Sequence, residues 1–159
     1  MPNLTSILLF AAVIMSAVVE ADASQPVCVV SNKANLRAAP SPTARLNWVV
    51  GKYMPLELLE TKGQWARVRD FRGVTHWVLA KNVSSKESCV VVKVRTAPLR
   101  EGPGTEFPSS SFRVADRYAS FRRLEWSGDW VRIEDDYRGN YWTKAGNVWF
   151  PLKRSRVNF

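Results

Sequence analysis

The sequence predicts an all-β protein built from two small barrels in tandem. The prediction rests on an internal repeat, on strand-like periodicity and on turn signals at matching positions. Gly63-Gln64-Trp65-Ala66-Arg67-Val68 returns as Gly128-Asp129-Trp130-Val131-Arg132-Ile133, 65 residues later. Trp77, Ala80, Asn82 and Val83 return at the same offset as Trp142, Ala145, Asn147 and Val148. Asp70-Phe71-Arg72-Gly73 matches Asp136-Tyr137-Arg138-Gly139 at an offset of 66, and Leu36-Arg37 with Pro40 matches Leu99-Arg100 with Pro103 at 63. The drifting offset predicts small insertions between matching blocks. A period this long exceeds most solenoid repeats and leaves room for each copy to be a small domain. Beyond residue 23 no segment sustains a 3.6-residue apolar period; short apolar runs alternate with turn residues, the pattern of strands.

Residues 1–23 read as a signal peptide. Ile7 to Val19 is a 13-residue apolar run, too short to span a bilayer and suited to a signal core. Ala21 and Ala23 place small residues at −3 and −1, so cleavage is expected between Ala23 and Ser24. The segment before the run has no Lys or Arg, and the alternative is a retained membrane anchor. No lipobox cysteine follows it. The mature protein is expected to be periplasmic or secreted, with no membrane span after cleavage.

Residues 24–83 form the first expected domain, with strands near Val27–Ser31, Leu46–Val50, Leu56–Thr61, Trp65–Asp70 and Thr75–Leu79. Residues 84–88 are a short polar connector with limited hinge freedom. Residues 89–152 form the second, with strands near Cys89–Val94, Phe112–Ala115, Ala119–Trp126, Trp130–Asp135 and Asn140–Thr143. Residues 153–159 are a basic tail. Lys62-Gly63, Ser127-Gly128, Arg72-Gly73 and Arg138-Gly139 are hairpin turns. Pro40, Pro42 and Gly102-Pro103-Gly104 mark a long irregular loop early in each copy.

The full chain carries a net charge of +9. The signal segment holds Glu20 and Asp22 and no base, so cleavage makes the protein two charges more positive. That excess favours anionic partners and salt-sensitive association. Wall polymers, lipid head groups, acidic peptides and nucleic acid are the candidates, and simple solubility is the alternative. A copy of this size buries only a small core. Two cysteines in an exported chain point to one disulfide, Cys28–Cys89, which would staple the ends of the first barrel if its first and last strands are neighbours. Free thiols or an intermolecular bridge are the alternatives.

Five or six short strands, one long early loop and two tight hairpins describe a small SH3-like barrel. The residues also carry a family resemblance. Asn35-Leu36-Arg37-Ala38 with Pro40, then Gly63-x-Trp65-x-Arg67-Val68, then Trp77-Val78, resembles the bacterial SH3 (SH3b) family. Arg100-Glu101-Gly102-Pro103-Gly104-Thr105 follows the family's loop more closely. Pro98 replaces the usual Asn in copy two, and Ala39 and Ser41 replace the two glycines in copy one. The resemblance spans both copies. It implies two SH3-like barrels and a non-catalytic binding role, with peptidoglycan peptides a common ligand class. Such folds host many tasks, so fold alone does not fix the ligand.

Alternation along the Trp65 strand puts Ala66 and Val68 on one face and Trp65, Arg67 and Arg69 on the other. Copy two sets Val131 and Ile133 against Trp130, Arg132 and Glu134. The small apolar face belongs in the core. Trp and Arg on a groove under the long loop then make a ligand platform, since aromatic faces stack on sugars and peptides and guanidinium groups clamp carboxylates. The competing reading has each Trp capping a barrel end with Arg stems packed on it. Val78 is expected in the core, which turns Trp77 outward, with Trp142 its counterpart. The candidate ligand residues are Trp65, Arg67, Trp77, Trp130, Arg132 and Trp142. Trp48, Tyr53, Tyr118 and Trp126 add rings near the loops, as core or domain-interface material.

Catalysis is not expected. The lone His76 is read as a surface strand residue, and the only thiols are those expected to pair. No metal-ligand spacing occurs, Asp135-Asp136 reads as a turn, and no cofactor motif is present. Leu79-Ala80-Lys81-Asn82 lacks the Pro and Tyr of a polyproline-binding site. The function expected is an exported binding module for cell-wall peptidoglycan or associated anionic material. The alternative is a periplasmic protein–protein adaptor, and the export signal argues against nucleic acid.

Overall fold

The computed structural model describes residues 24–152. The expected signal segment and basic tail lie outside the described residues. The first copy contains β1 (Gln25–Val29), β2 (Lys33–Arg37), β3 (Leu46–Gly51), β4 (Pro55–Lys62), β5 (Trp65–Arg69), β6 (Thr75–Leu79), a 3-10 turn (Ala80–Asn82) and β7 (Val83–Ser84). The second contains β8 (Cys89–Val92), β9 (Thr96–Arg100), β10 (Ser109–Asp116), β11 (Ser120–Ser127), β12 (Trp130–Glu134), β13 (Asn140–Lys144), a 3-10 turn (Ala145–Asn147) and β14 (Val148–Trp149). The first sheet runs β3-β2-β6-β5-β4-β1-β7 and the second β10-β9-β13-β12-β11-β8-β14, the same order twice. The fold is all-β, with two tandem small barrels of one topology.

Four strands were not among those expected: β2, β9 and the two-residue β7 and β14. β2 and β9 each contribute two inward side chains, Ala34 with Leu36 and Ala97 with Leu99, all at most 2% exposed. Lys33 and Asn35 in β2, and Pro98 in β9, disguise the alternation because they disfavour strands.

The structure also corrects the repeat register. Asp70 corresponds to Asp135, not to Asp136: Gly73 N–H donates to the Asp70 carbonyl, and Arg138 N–H donates to that of Asp135. The offset is 63 through β2 and β9 and 65 from β4 and β11 onward. It changes once, where β10 carries a larger bulge against β9 (Ser109 to Val114) than β3 carries against β2. Arg138 therefore occupies the left-handed position (φ 66°) that Gly73 fills in copy one (φ 83°). An Arg there bears a steric clash between its Cβ and the following carbonyl that Gly avoids.

Each barrel encloses its own core. Val29, Leu36, Leu56, Val68 and Val78 are fully buried in the first, and Val90, Val92, Ala97, Val131 and Ile133 in the second. The two cores are not independent. β8 is buried on both faces. Val90 and Val92 enter the second core, whereas Val91 enters the first, where Trp149 of β14 also packs. Burying one such Val stabilises by roughly 1.5–2 kcal/mol. A strand that serves two cores leaves little room for hinge motion.

Around this shared strand lies an aromatic seam. Tyr118 meets Trp48 edge-on at 5.6 Å and Phe71 at 5.8 Å, and Phe71 meets Trp149 at 6.3 Å. The Arg72 guanidinium lies 4.5 Å from the Trp48 ring. Lys52 pairs with Asp136 at 2.9 Å, and the Ser120 hydroxyl donates to the Lys52 carbonyl at 2.7 Å. Trp48, Tyr118 and the turn around Phe71 are therefore interdomain contacts.

Cys28 and Cys89 are joined in a disulfide. The bond links β1 of one barrel to β8 of the other. It staples the two barrels at their first strands and does not close the first barrel upon itself.

Candidate functional site

The alternation on β5 and β12 holds. Ala66, Val68, Val131 and Ile133 are at most 1% exposed, while Trp65 and Trp130 are half-buried on the outer face. Glu134 departs from this pattern and is only 8% exposed. It accepts from Arg122 at 3.5 Å, and Arg122 also reaches Glu87 of the connector at 3.1 Å. In copy one the same cross-strand pair has opposite polarity, with Arg69 donating to Glu57 at 2.5 Å. The reversal puts an Arg where the second barrel meets the connector, and Glu87 gains a partner.

Each Trp lines a groove beneath the long loop. The first groove, about 300 Å³, is bounded by Lys33, Asn35, Arg37, Pro42, Gln64, Trp65, Leu79 and Asn82. The second, about 280 Å³, is bounded by Pro98, Arg100, Thr105, Trp130, Lys144 and Asn147. They are the same place in the fold: Trp65 opens β5, Arg37 ends β2, and Asn82 ends the 3-10 turn, with Trp130, Arg100 and Asn147 their equivalents. Each groove carries two cations and an aromatic wall. The second continues into a broader hollow with Glu106 and Asp129 at its edge, so its mouth is less uniformly basic.

Arg37 and Arg100 have a second task. Arg37 Nη1 donates to the Ala44 carbonyl at 2.8 Å, and Arg100 Nη1 donates to that of Phe107 at 2.7 Å. Each guanidinium ties down the long loop that roofs its groove, and its other N–H groups are not used in that bond. In copy two the Phe107 ring occupies the space a Cβ on Gly102 would need. Copy one has Ala44 in place of Phe107, which frees the equivalent position to be Ala39. This pairwise exchange accounts for Ala39 in the loop of copy one.

Arg67 and Arg132 share the outer face with the tryptophans but do not line the grooves. They pair across the sheet with Glu60 and Glu125, both at 3.2 Å. Trp77 and Trp142 do turn outward. Trp77 sits in register between Arg37 and Arg67, and Trp142 between Arg100 and Arg132. They form a row of Arg, Trp and Arg beside each groove. The groove residues that sequence reasoning passed over are Arg37, Asn82, Arg100 and Asn147. Their signal was present, since all four are polar residues repeated in both copies.

His76 is a correction. It is 2% exposed, not a surface residue. Its Nε2 bonds to Asp70 at 3.0 Å, and its Nδ1 contacts the Asn47 amide at 3.1 Å. Asp70 also accepts from the Arg72 side chain and from the Arg72 and Val74 backbone N–H groups. Burial pushes the Asp70 carboxyl up, but the Arg72, His76 and backbone hydrogen bonds together outweigh it and hold the group below its ordinary range. In copy two Tyr141 replaces His76, and its hydroxyl donates to Asp135 at 3.0 Å. Its proton is held more tightly than usual, through burial and the Asp135 carboxylate. Each barrel thus uses one buried or part-buried Asp to organise a hairpin. Among the described residues, no cluster of three metal-ligating side chains occurs. His76 has no thiol beside it in its network, and both thiols are consumed in the disulfide.

The twin barrels define a tandem SH3-like protein. Residues 30–85 match the family model of the bacterial SH3 domain. No curated protein matches the chain. Similar solved structures include two proteins from Trichomonas vaginalis, NlpC2 (14% identity, TM-score 0.38, covering 87% of this chain and 51% of that one) and NlpC1 (14%, 0.36, 95% and 52%). An NlpC/P60 family protein from Bacillus cereus ATCC 10987 is similar at 14% identity and TM-score 0.37, covering 79% of this chain and 56% of that one. The chain spans about half the length of these solved chains. At these scores they bear on neither its ligand nor its activity.

Proposed function

We propose that the protein is an exported, non-catalytic module that binds cell-wall peptidoglycan or associated anionic wall material through its two grooves. One observation carries this reading: the same aromatic and cationic groove is built twice, from Trp65, Arg37 and Asn82 and from Trp130, Arg100 and Asn147. A ring face suits a sugar or a short peptide, a guanidinium suits its carboxylate, and an Asn amide can both donate and accept. Trp77 and Arg67, with Trp142 and Arg132, extend each groove across the sheet. The disulfide fits an oxidising compartment. Two sites on one polymer raise retention beyond either alone when both engage.

The test is co-sedimentation with protein-free peptidoglycan. Trp65→Ala and Trp130→Ala singly are expected to weaken retention, and together to abolish it, with unchanged thermal midpoints. Unchanged retention in the double variant would remove both residues from the site.

The adaptor reading has one observation in its favour. β10 is an edge strand, and on it Phe112 is 64% and Val114 52% exposed. Cross-linking to a specific polypeptide, lost on Phe112→Ser, would favour it.

A further inference from the structure

A third cavity, about 400 Å³, opens beside the disulfide at the junction of the barrels and shares no residue with either groove. Pro26, Trp126, Phe150 and Leu152 give it an apolar wall, and Ser85 and Ser88 of the connector line its other side. Leu152 is 67% exposed, an aliphatic side chain left at the rim. Into this cavity faces Arg123. Its guanidinium lies 5.2 Å from the Trp126 ring and 5.9 Å from that of Phe150, and the two rings are 4.9 Å apart. Among the described residues it pairs with no carboxylate, unlike its neighbour Arg122, which has two. Glu87 also borders the cavity, but its carboxylate is engaged by Arg122 at 3.1 Å.

A half-buried cation with no counter-ion among the described residues is costly to keep charged. Burial lowers the proton affinity of Arg123, with no opposing group. Arg stays protonated regardless, and among the described residues its charge is met by the Trp126 and Phe150 rings. Rings supply less than an anion would, because a carboxylate forms charge-assisted, paired N–H···O bonds and a ring does not. The volume falls within the range of small-ligand sites.

We propose that this junction cavity binds a monocarboxylate with an apolar or aromatic body, the carboxylate on Arg123 and the body against Trp126, Phe150 and Leu152. A free carboxylic acid and the C-terminal residue of a peptide present that same chemistry.

The experiment uses the disulfide-bonded protein and NMR titration of backbone and indole N–H signals. N-acetyl-phenylalanine is the probe, with N-acetyl-phenylalaninamide as its uncharged match and an acetylated tripeptide ending in Phe as the peptide arm. The acid is expected to shift the Trp126 indole and the signals of residues 150–152, and to bind at least tenfold tighter than the amide. In Arg123→Gln that preference is lost, while the Trp65 and Trp130 indoles do not move in either protein. Tighter binding by the tripeptide than by the single residue assigns a peptide terminus; the reverse assigns a small acid. Equal affinity for acid and amide, no shift up to the solubility limit, or shifts confined to the two grooves would each overturn the proposal. The acid–amide comparison is made in the unmutated protein, so it stands even if the variant folds poorly.

Discussion

Removing the Cys28–Cys89 bond tests whether the two barrels form one mechanical unit. The cysteines are 61 residues apart in sequence. A loop of that length constrains the unfolded chain by about 4 kcal/mol in the chain-entropy model. The unfolding entropy of a unit this size is roughly 0.27 kcal/mol per kelvin, so that loss lowers the midpoint by about 15 °C. The bond joins β1 to β8, and Val91 and Trp149 carry the second barrel into the first core. Both barrels should therefore melt together, before and after the bond is lost. The assay is calorimetry of Cys28→Ala/Cys89→Ala beside the reduced wild type. One transition, shifted downward by a similar amount in both, is expected. Two resolved transitions with only the first displaced would refute the shared unit, and a shift under about 5 °C would refute the entropic account.

Three further outcomes follow from the hairpins and the long loop. The folded Asp70 carboxyl titrates below its ordinary value, so its stabilisation is complete above the unfolded value of about 3.9 and is lost as the pH falls through it toward the lower folded value. The urea midpoint should fall over that window, and Asp70→Asn, which strands Arg72 and His76, should flatten the fall while costing about 3 kcal/mol at neutral pH. Arg138→Gly should raise stability by about 1 kcal/mol in denaturant titrations by relieving a left-handed Arg, whereas Gly73→Ala should lower it by a similar amount. Gly102→Ala should destabilise by about 1–3 kcal/mol by driving a methyl into Phe107, and Phe107→Ala in the same chain should recover most of the loss in a double-mutant cycle.

What the sequence disclosed depended on what repeated and on what alternated. Ala66-x-Val68 and Val131-x-Ile133 placed both central strands and their faces correctly, because a period of two survives any change in surrounding loops. The disulfide pairing was legible from two cysteines, but its consequence was not, since the shared role of β8 depends on Val91 facing the core of the other barrel. Asp136 aligns with Asp70 in the sequence because Asp-Tyr-Arg-Gly resembles Asp-Phe-Arg-Gly. Hydrogen bonding instead selects Asp135 and forces Arg138 into a glycine's conformation. His76 reads as exposed from its polarity alone, although alternation with the core residue Val78 puts it on the inward face, where Asp70 and Asn47 satisfy its two ring nitrogens. In the grooves, Trp65 and Trp130 were found by their outward face. Arg67 and Arg132 stand out in the sequence because they lie two residues from the tryptophans, and Arg37 and Arg100 do not because they lie about 30 residues away. The sheet order puts β2 and the 3-10 turn beside them in space.

Specific binding of wall material by the twin grooves differs from attraction by charge alone in its response to salt. Co-sedimentation with protein-free peptidoglycan at low salt and at about 0.5 M salt, where exposed charges are screened, tests it most directly. Retention at high salt that falls away in Trp65→Ala/Trp130→Ala is the expected result. Complete loss of the unmutated protein at high salt would contradict specific binding and leave only a basic surface attracted to any polyanion.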